Sequence, residues 1–135
     1  MEMQRIVRFE FFPANIDAGL LVLRIGVCGT LFLKHGLEKI LHYSQMAASM
    51  GHAVITIAMI SDSICSLLII LGLLTRWAAL YSFANIFVAW AMVHHFLFFG
   101  RGADHGELIV LYLAALAAIV LAGPGKYSVD ASVQG

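Results

Sequence analysis

Apolar residues fill four long blocks of this chain, and polar or glycine-rich breaks separate them. The blocks cover about residues 17–40, 50–74, 76–99 and 106–122. None shows the two-residue alternation of a half-exposed strand. Each is about 17–25 residues long, the length of helix that crosses roughly 30 Å of hydrocarbon. The pattern predicts an all-α fold, a bundle of four transmembrane helices. Asn15 or Asp17 stands where the first helix needs an N-cap, and Gly123-Pro124-Gly125 stops the fourth. The links, around residues 41–49, at Thr75 and around residues 100–105, are short, so sequential helices are expected to be antiparallel neighbours. An even number of spans puts both termini on one side. Arg5, Arg8, Arg76 and Lys126 share that side against Lys39 and Arg101 on the other, which predicts cytoplasmic termini.

Composition strengthens the membrane reading. The chain of 135 residues is 61% hydrophobic and 12% charged, with a mean hydropathy of +0.92. Soluble domains average about 45–50% apolar and about 25% charged, and a fold this small could not hide so much apolar surface. One domain, residues 1–135, is expected. The formal net charge of +0 gives no footprint for nucleic acid. Cys28 and Cys65 lie far apart inside apolar runs, outside any CxxC or zinc-ligand spacing, and read as buried small hydrophobes. Arg5 and Arg8 precede an apolar stretch as in a signal peptide. Pro13, Asn15 and Asp17 interrupt the approach, Arg24 sits inside the stretch and no A-x-A-like site follows, so the segment is read as a retained helix.

Polar residues inside such helices are costly and usually face the bundle interior. At about 100° per residue, Arg24, Cys28, Leu31, His35, Glu38 and His42 fall along one line of the first helix. Gly19, Gly26, Gly29 and Gly36 mark the opposite face as one of close backbone packing. Asp62 and Ser66 share a face of the second helix. Asn85 lies in the third, His94-His95 near its far end, and Glu107 opens the fourth. Rise per residue sorts these into an inner layer (Arg24, Asp62, Asn85) and an outer one (His35, Glu38, His94, His95, Glu107). Arg24 either pairs with Asp62 to hold the register, or lines with it a cavity for a polar head group, or snorkels to the interface. The outer layer either meets water and head groups or forms one proton-handling or quinone-binding site. In that second case His35, Glu38, His95 and Glu107 should converge, with His95 rather than His94 turned inward. A metal site is disfavoured, because only the reversed order His35-Gly36-Leu37-Glu38 occurs and not Glu-x-x-His on two helices. Phe96, Phe98 and Phe99 read as an interfacial aromatic belt, or as a surface on which a flat ligand could stack.

Several fragments together resemble the DoxX family of small bacterial and archaeal membrane proteins. They are LLVLRIGVCGTLFLKHGLEKI, LIILGLLTRWAAL, GELIVLYLAALAAIVLAGPG and the ending GPGKYSVDA. The combination that carries the resemblance is Arg24, His35-Gly36, Gly72 with Thr75-Arg76, and Gly123-Pro124-Gly125-Lys126-Tyr127-Ser128. Two departures are Glu38, where the family often has Gln, and Asp62, near where it often has Glu. The resemblance implies a four-helix bundle in the bacterial or archaeal cytoplasmic membrane. Some relatives are subunits of a membrane thiosulfate–quinone oxidoreductase, and others are linked to redox stress. It supplies no agreed catalytic residue.

The resulting expectation is a redox-related membrane subunit that handles a quinone or another small lipophilic molecule. The candidate binding residues are Arg24, His35, Glu38, Asp62, Asn85, His95 and Glu107. Arg24 would bond a carbonyl or anion, Asp62 would orient Arg24, and His35 or Glu38 would exchange protons with the outside. No glycine-rich nucleotide motif and no haem or iron–sulfur signature occurs in the sequence, so electron transfer would need a bound cofactor or a partner subunit. A non-enzymatic accessory or scaffold subunit is the alternative. A small transporter is disfavoured because no inverted repeat is apparent, and four helices leave little room for a path without oligomerisation.

Overall fold

The structure, a computed structural model, describes residues 1–99 and 106–135. Seven helices occur among them: α1 (Glu2–Val7), α2 (Ile16–Leu41), α3 (Tyr43–Met50), α4 (His52–Leu71), α5 (Thr75–Met92), α6 (Gly106–Ala122) and α7 (Val129–Gln134). No strand occurs among the described residues. Of these, α2 with 26 residues and α4 with 20 are long and apolar enough to cross a membrane. The apolar helix α6 has 17 residues, about 26 Å by rise per residue.

The first long helix starts as its sequence demands. Asn15 takes an extended conformation, and its side chain accepts the Ala18 N–H at 3.0 Å. Asp17 instead ties down a distant segment, its carboxylate accepting the Lys126 N–H at 2.8 Å. The helix α2 packs along α4, α4 against α5, α5 against α6, and α6 returns to α2. Contacts between Arg24 and Ile69 at one level, and between Gly36 and Ser63 at another, show that α2 and α4 run antiparallel. The Arg76 side chain reaching the Val120 carbonyl shows the same for α5 and α6. Cys28, Leu31, Ile69, Ala79, Leu116 and Ile119 form the centre, and both cysteines are free thiols there.

Three expectations need correction. The third long helix ends at Met92 rather than near residue 99, and His94, His95 and Phe96 lie in a turn beyond it. His95 and Phe96 take positive φ values of 48° and 57°, which no helix continues. The link at residues 41–49 is mostly the short helix α3. The glycine face of α2 is not a packing face along its length: a Cβ on Gly19, Gly26 or Gly29 would meet nothing within 4 Å. Only Gly36 is pressed against a neighbour, where a Cβ would lie 2.5 Å from the Asp62 carbonyl oxygen. The link at residues 100–105, with Arg101, lies outside the described residues.

Two of the helices carry a π turn, Phe32–Gly36 in α2 and Ile60–Cys65 in α4. The two turns face each other, and the Ser63 hydroxyl donates to the Gly36 carbonyl at 3.3 Å. A π turn inserts an extra residue into the helical repeat and rotates everything after it by about 100°.

Candidate functional site

Where the π turns meet, the bundle is hollow. A cavity of about 620 Å³ is walled by all four long helices and by α3. That volume is in the range of small-molecule sites, about 300–1,000 Å³. Most of its wall is aliphatic: Leu31 from α2, Ile55 and Ala58 from α4, Ile86 and Ala89 from α5, Ile109 from α6. Of its lining residues, Val54 and Ile57 of α4 and Val88 and Met92 of α5 stand half exposed or more. Met46 and Met50 of α3 close one end with adaptable thioether side chains.

Several polar groups of the cavity gather around one ion pair. Lys39 Nζ lies 2.7 Å from Asp62 Oδ2, with both side chains largely buried. His35 and Tyr112 lie beside this pair, and Asn85 and His94 also line the cavity. The His35 and Tyr112 rings meet edge to face, 6.4 Å between centroids. The side chains of His35, Asn85 and Tyr112 hydrogen-bond to none of the described residues, although Tyr112 is only 7% exposed. Asp62 Oδ1 is buried and also has no hydrogen-bond partner among the described residues. Buried polar groups are ordinarily paired. An apolar cavity with several unpaired polar groups matches a lipophilic molecule with a polar head.

This arrangement divides the residues expected from the sequence. His35, Asp62 and Asn85 line the cavity. Glu38, His95 and Glu107 are exposed and do not line it, so the expected convergence of His35, Glu38, His95 and Glu107 does not occur. Among the described residues no hydrogen bond joins His35 or His95 to Glu38 or Glu107. The physical reason for Glu38 is the π turn. Past residue 36 the inward face arrives one residue later than an ideal helix puts it, so Lys39 turns in and Glu38 turns out. His94, not His95, reaches the cavity, because the chain leaves its helix at Met92. Tyr112 was missed, although it is the one polar residue in the run from Leu108 to Ala122, a signal legible in the sequence.

The expected partnership of Arg24 with Asp62 is replaced by two separate arrangements. Asp62 takes Lys39. Arg24, wholly buried, donates through Nη1 to the Ile69 and Ile70 carbonyls, each at 3.1 Å, and through Nη2 to the Tyr127 carbonyl. The first two are carbonyls of the last turn of α4, which has no further helix to receive them. A cation there also opposes the negative end of the helix dipole. Arg24 is therefore a C-cap reaching in from another helix, and it does not line the cavity.

The same junction holds the chain that follows α6. Gly72 takes the left-handed conformation at φ 74°, and a Cβ there would overlap the Ser128 side chain and lie 2.6 Å from Arg24 Nη1. The Asp130 N–H donates to the Gly72 carbonyl at 2.8 Å. The Asp130 carboxylate accepts the Leu74 N–H at 2.8 Å, the Thr75 N–H at 2.9 Å and the Thr75 hydroxyl at 2.7 Å. It thus caps the start of α5, whose own preceding residue, Leu74, is held at φ 50° and offers no capping side chain. Burial pushes the Asp130 carboxyl up, but the hydrogen bonds from Thr75 and Leu74 and the nearby Arg24 charge outweigh it. The net effect holds the group below the usual carboxylate range.

Comparison with known proteins gives a family and nothing finer. The model of one family, DoxX, matches residues 19–95, more than half of the 135-residue chain. No curated protein and no solved structure matches it.

Proposed function

The chain belongs to the DoxX family of membrane-associated proteins, and from that premise we propose that it binds a small lipophilic molecule, such as a quinone, inside the membrane. In this reading α2, α4, α5 and α6 each cross the bilayer of a bacterial or archaeal cytoplasmic membrane. Both chain ends lie in the cytoplasm, on the side rich in Arg5, Arg8, Arg76 and Lys126. The observation that carries the proposal is the cavity itself. In this reading the exposed part of its wall, on α4 and α5, faces lipid, and the Lys39–Asp62 pair, His35, Asn85 and Tyr112 supply its polar groups. A hydrophobic molecule dissolved in the bilayer would enter tail-out and head-in. Lys39 has two N–H groups left after bonding Asp62 and Asn85 has an amide, so a carbonyl or hydroxyl head finds donors there. His35 would offer a ring nitrogen to the bound head group.

A redox role extends this reading. The protein would serve as the membrane subunit that presents a quinone to an electron donor carried by a partner chain. The test is direct. The protein, purified in lipid nanodiscs, is titrated with a short-tailed quinone, and the bound fraction is separated from simple partition by comparison with empty nanodiscs. Saturable binding is expected. Tyr112→Phe and Asn85→Leu should each weaken it about tenfold, the worth of one hydrogen bond near 1.4 kcal/mol. Binding no greater than to empty discs, or unchanged in both variants, would overturn the proposal.

A further inference from the structure

Residues 1–12 form a small structure of their own, exposed along its whole length. In α1 the apolar residues Met3, Ile6 and Val7 fall within an arc of about 100°, while Glu2, Gln4, Arg5 and Arg8 occupy the rest of the circumference. Beyond the helix the chain turns at Phe9, whose φ is 52°. That turn packs the Phe9 ring against Phe11 at 4.1 Å and against Phe12 at 6.0 Å between centroids. Every one of these apolar side chains is more than half exposed, from Phe9 at 54% to Val7 at 79%. An exposed cluster of this size in a segment of a dozen residues calls for a partner.

We propose that this partner is the interfacial layer of the bilayer, on which residues 1–12 lie flat with Met3, Ile6, Val7 and the three phenylalanines turned into the lipid. Two observations select lipid over another protein. The chain runs on directly into α2, where Ile16, Val22, Ile25 and Leu33 are likewise exposed. The segment also shows the division of labour of interfacial helices, an apolar face opposite a charged one, with aromatic rings at the boundary. Its side-chain charges cancel: Arg5 and Arg8 each approach Glu10 at 3.9 Å, and Glu2 offsets the remaining side-chain cation. The attachment therefore rests on apolar burial and not on attraction to anionic lipid, and it should persist in high salt and on zwitterionic membranes. Its consequence is positional. The segment holds the N-terminal end of α2, and with it the level of Arg24, at a defined depth.

The proposal rests on α2 lying in the bilayer, so the experiment reports on both. Single cysteines at Gln4, Val7, Phe11 and Val22 carry a nitroxide in the full chain, reconstituted in phosphatidylcholine vesicles. The buried Cys28 and Cys65 are accounted for by labelling the unsubstituted protein. Collision with oxygen marks lipid, and collision with a water-soluble nickel chelate marks water. Val7, Phe11 and Val22 are expected to favour oxygen and Gln4 the chelate, with no change on adding anionic lipid or salt. If Val22 lies in lipid while Val7 and Phe11 collide with the chelate as freely as Gln4 does, the segment is in water and the proposal fails. If Val7 and Phe11 are shielded from both reagents, a protein surface covers them and the proposal also fails. If Val22 itself lies in water, the membrane reading of α2 falls first.

Discussion

Lys39, just past the π turn of α2, and Asp62, inside the facing π turn of α4, hold each other at 2.7 Å. Both side chains are largely buried, so each is the other's main electrostatic partner. Removing the carboxylate alone strands an ammonium in an apolar cavity. Asp62→Ala is expected to cost about 3–5 kcal/mol, read as a fall in the unfolding midpoint in micelles. Lys39→Met combined with Asp62→Leu should recover most of that loss. A double variant no more stable than Asp62→Ala would reject the pair as the reason.

Arg24 makes a separate prediction. Its guanidinium satisfies carbonyls of two chain segments with a planar fork that an ammonium does not have. Hydrogen bonds to charged groups contribute about 1.5–3 kcal/mol each, so Arg24→Lys should lose a substantial part of the stability that Arg24→Leu loses. Because Arg24 and Asp62 share no bonding partner, the effects of Arg24→Leu and Asp62→Leu should add within about 0.5 kcal/mol. A large coupling measured in that cycle would contradict the two separate arrangements.

Asp130 makes stability depend on pH. Its carboxyl titrates lower in the folded protein than in the unfolded chain, where the ordinary value is about 3.9. Its stabilising contribution is therefore fully present above about pH 4 and is lost as pH falls through the lowered folded value. Asp130→Ala removes the cap of α5, a change that typically costs about 0.5–2 kcal/mol. Unfolding curves of the two proteins should differ at neutral pH and converge in acid. A gap that does not narrow at all as pH falls below about 4 would show that the carboxylate charge is not what holds the segment after α6.

Two glycines of α2 should respond with opposite sign. At Gly36 a new methyl would lie 2.5 Å from the Asp62 carbonyl oxygen and 3.1 Å from its carbon, backbone atoms that cannot move aside cheaply. Gly36→Ala is expected to destabilise by about 1–3 kcal/mol and to disturb the Lys39–Asp62 geometry beside it. At Gly26 the same methyl meets nothing within 4 Å, and Gly26→Ala should stabilise by up to about 1 kcal/mol through helix propensity. Thermal unfolding of both variants in one detergent decides the contrast.

Periodicity and run length were enough to locate the long helices, because an apolar block that must satisfy its own backbone can only be helical. The start at Asn15, the stop at Gly123 and the inward turn of Arg24, Cys28, Leu31 and His35 were legible for the same reason: each depends on neighbours within a few residues. The family resemblance was legible too, but its residues split by role once placed. Arg24, Gly72, Thr75 and Ser128 meet in the junction that caps α4 and α5, while His35 belongs to the cavity. What the tertiary structure decided was partnership. An ideal repeat of about 3.6 residues puts Glu38 inside, and only the packing of two π turns against each other rotates Lys39 in its place and delivers it to Asp62. Arg24 could not be assigned from sequence, since its acceptors are backbone carbonyls, which every residue carries and no side-chain pattern reveals. Asp130 caps a helix whose first residue lies 55 positions earlier. Such long-range contacts depend on how the helices cross, and that is set by packing over the whole chain.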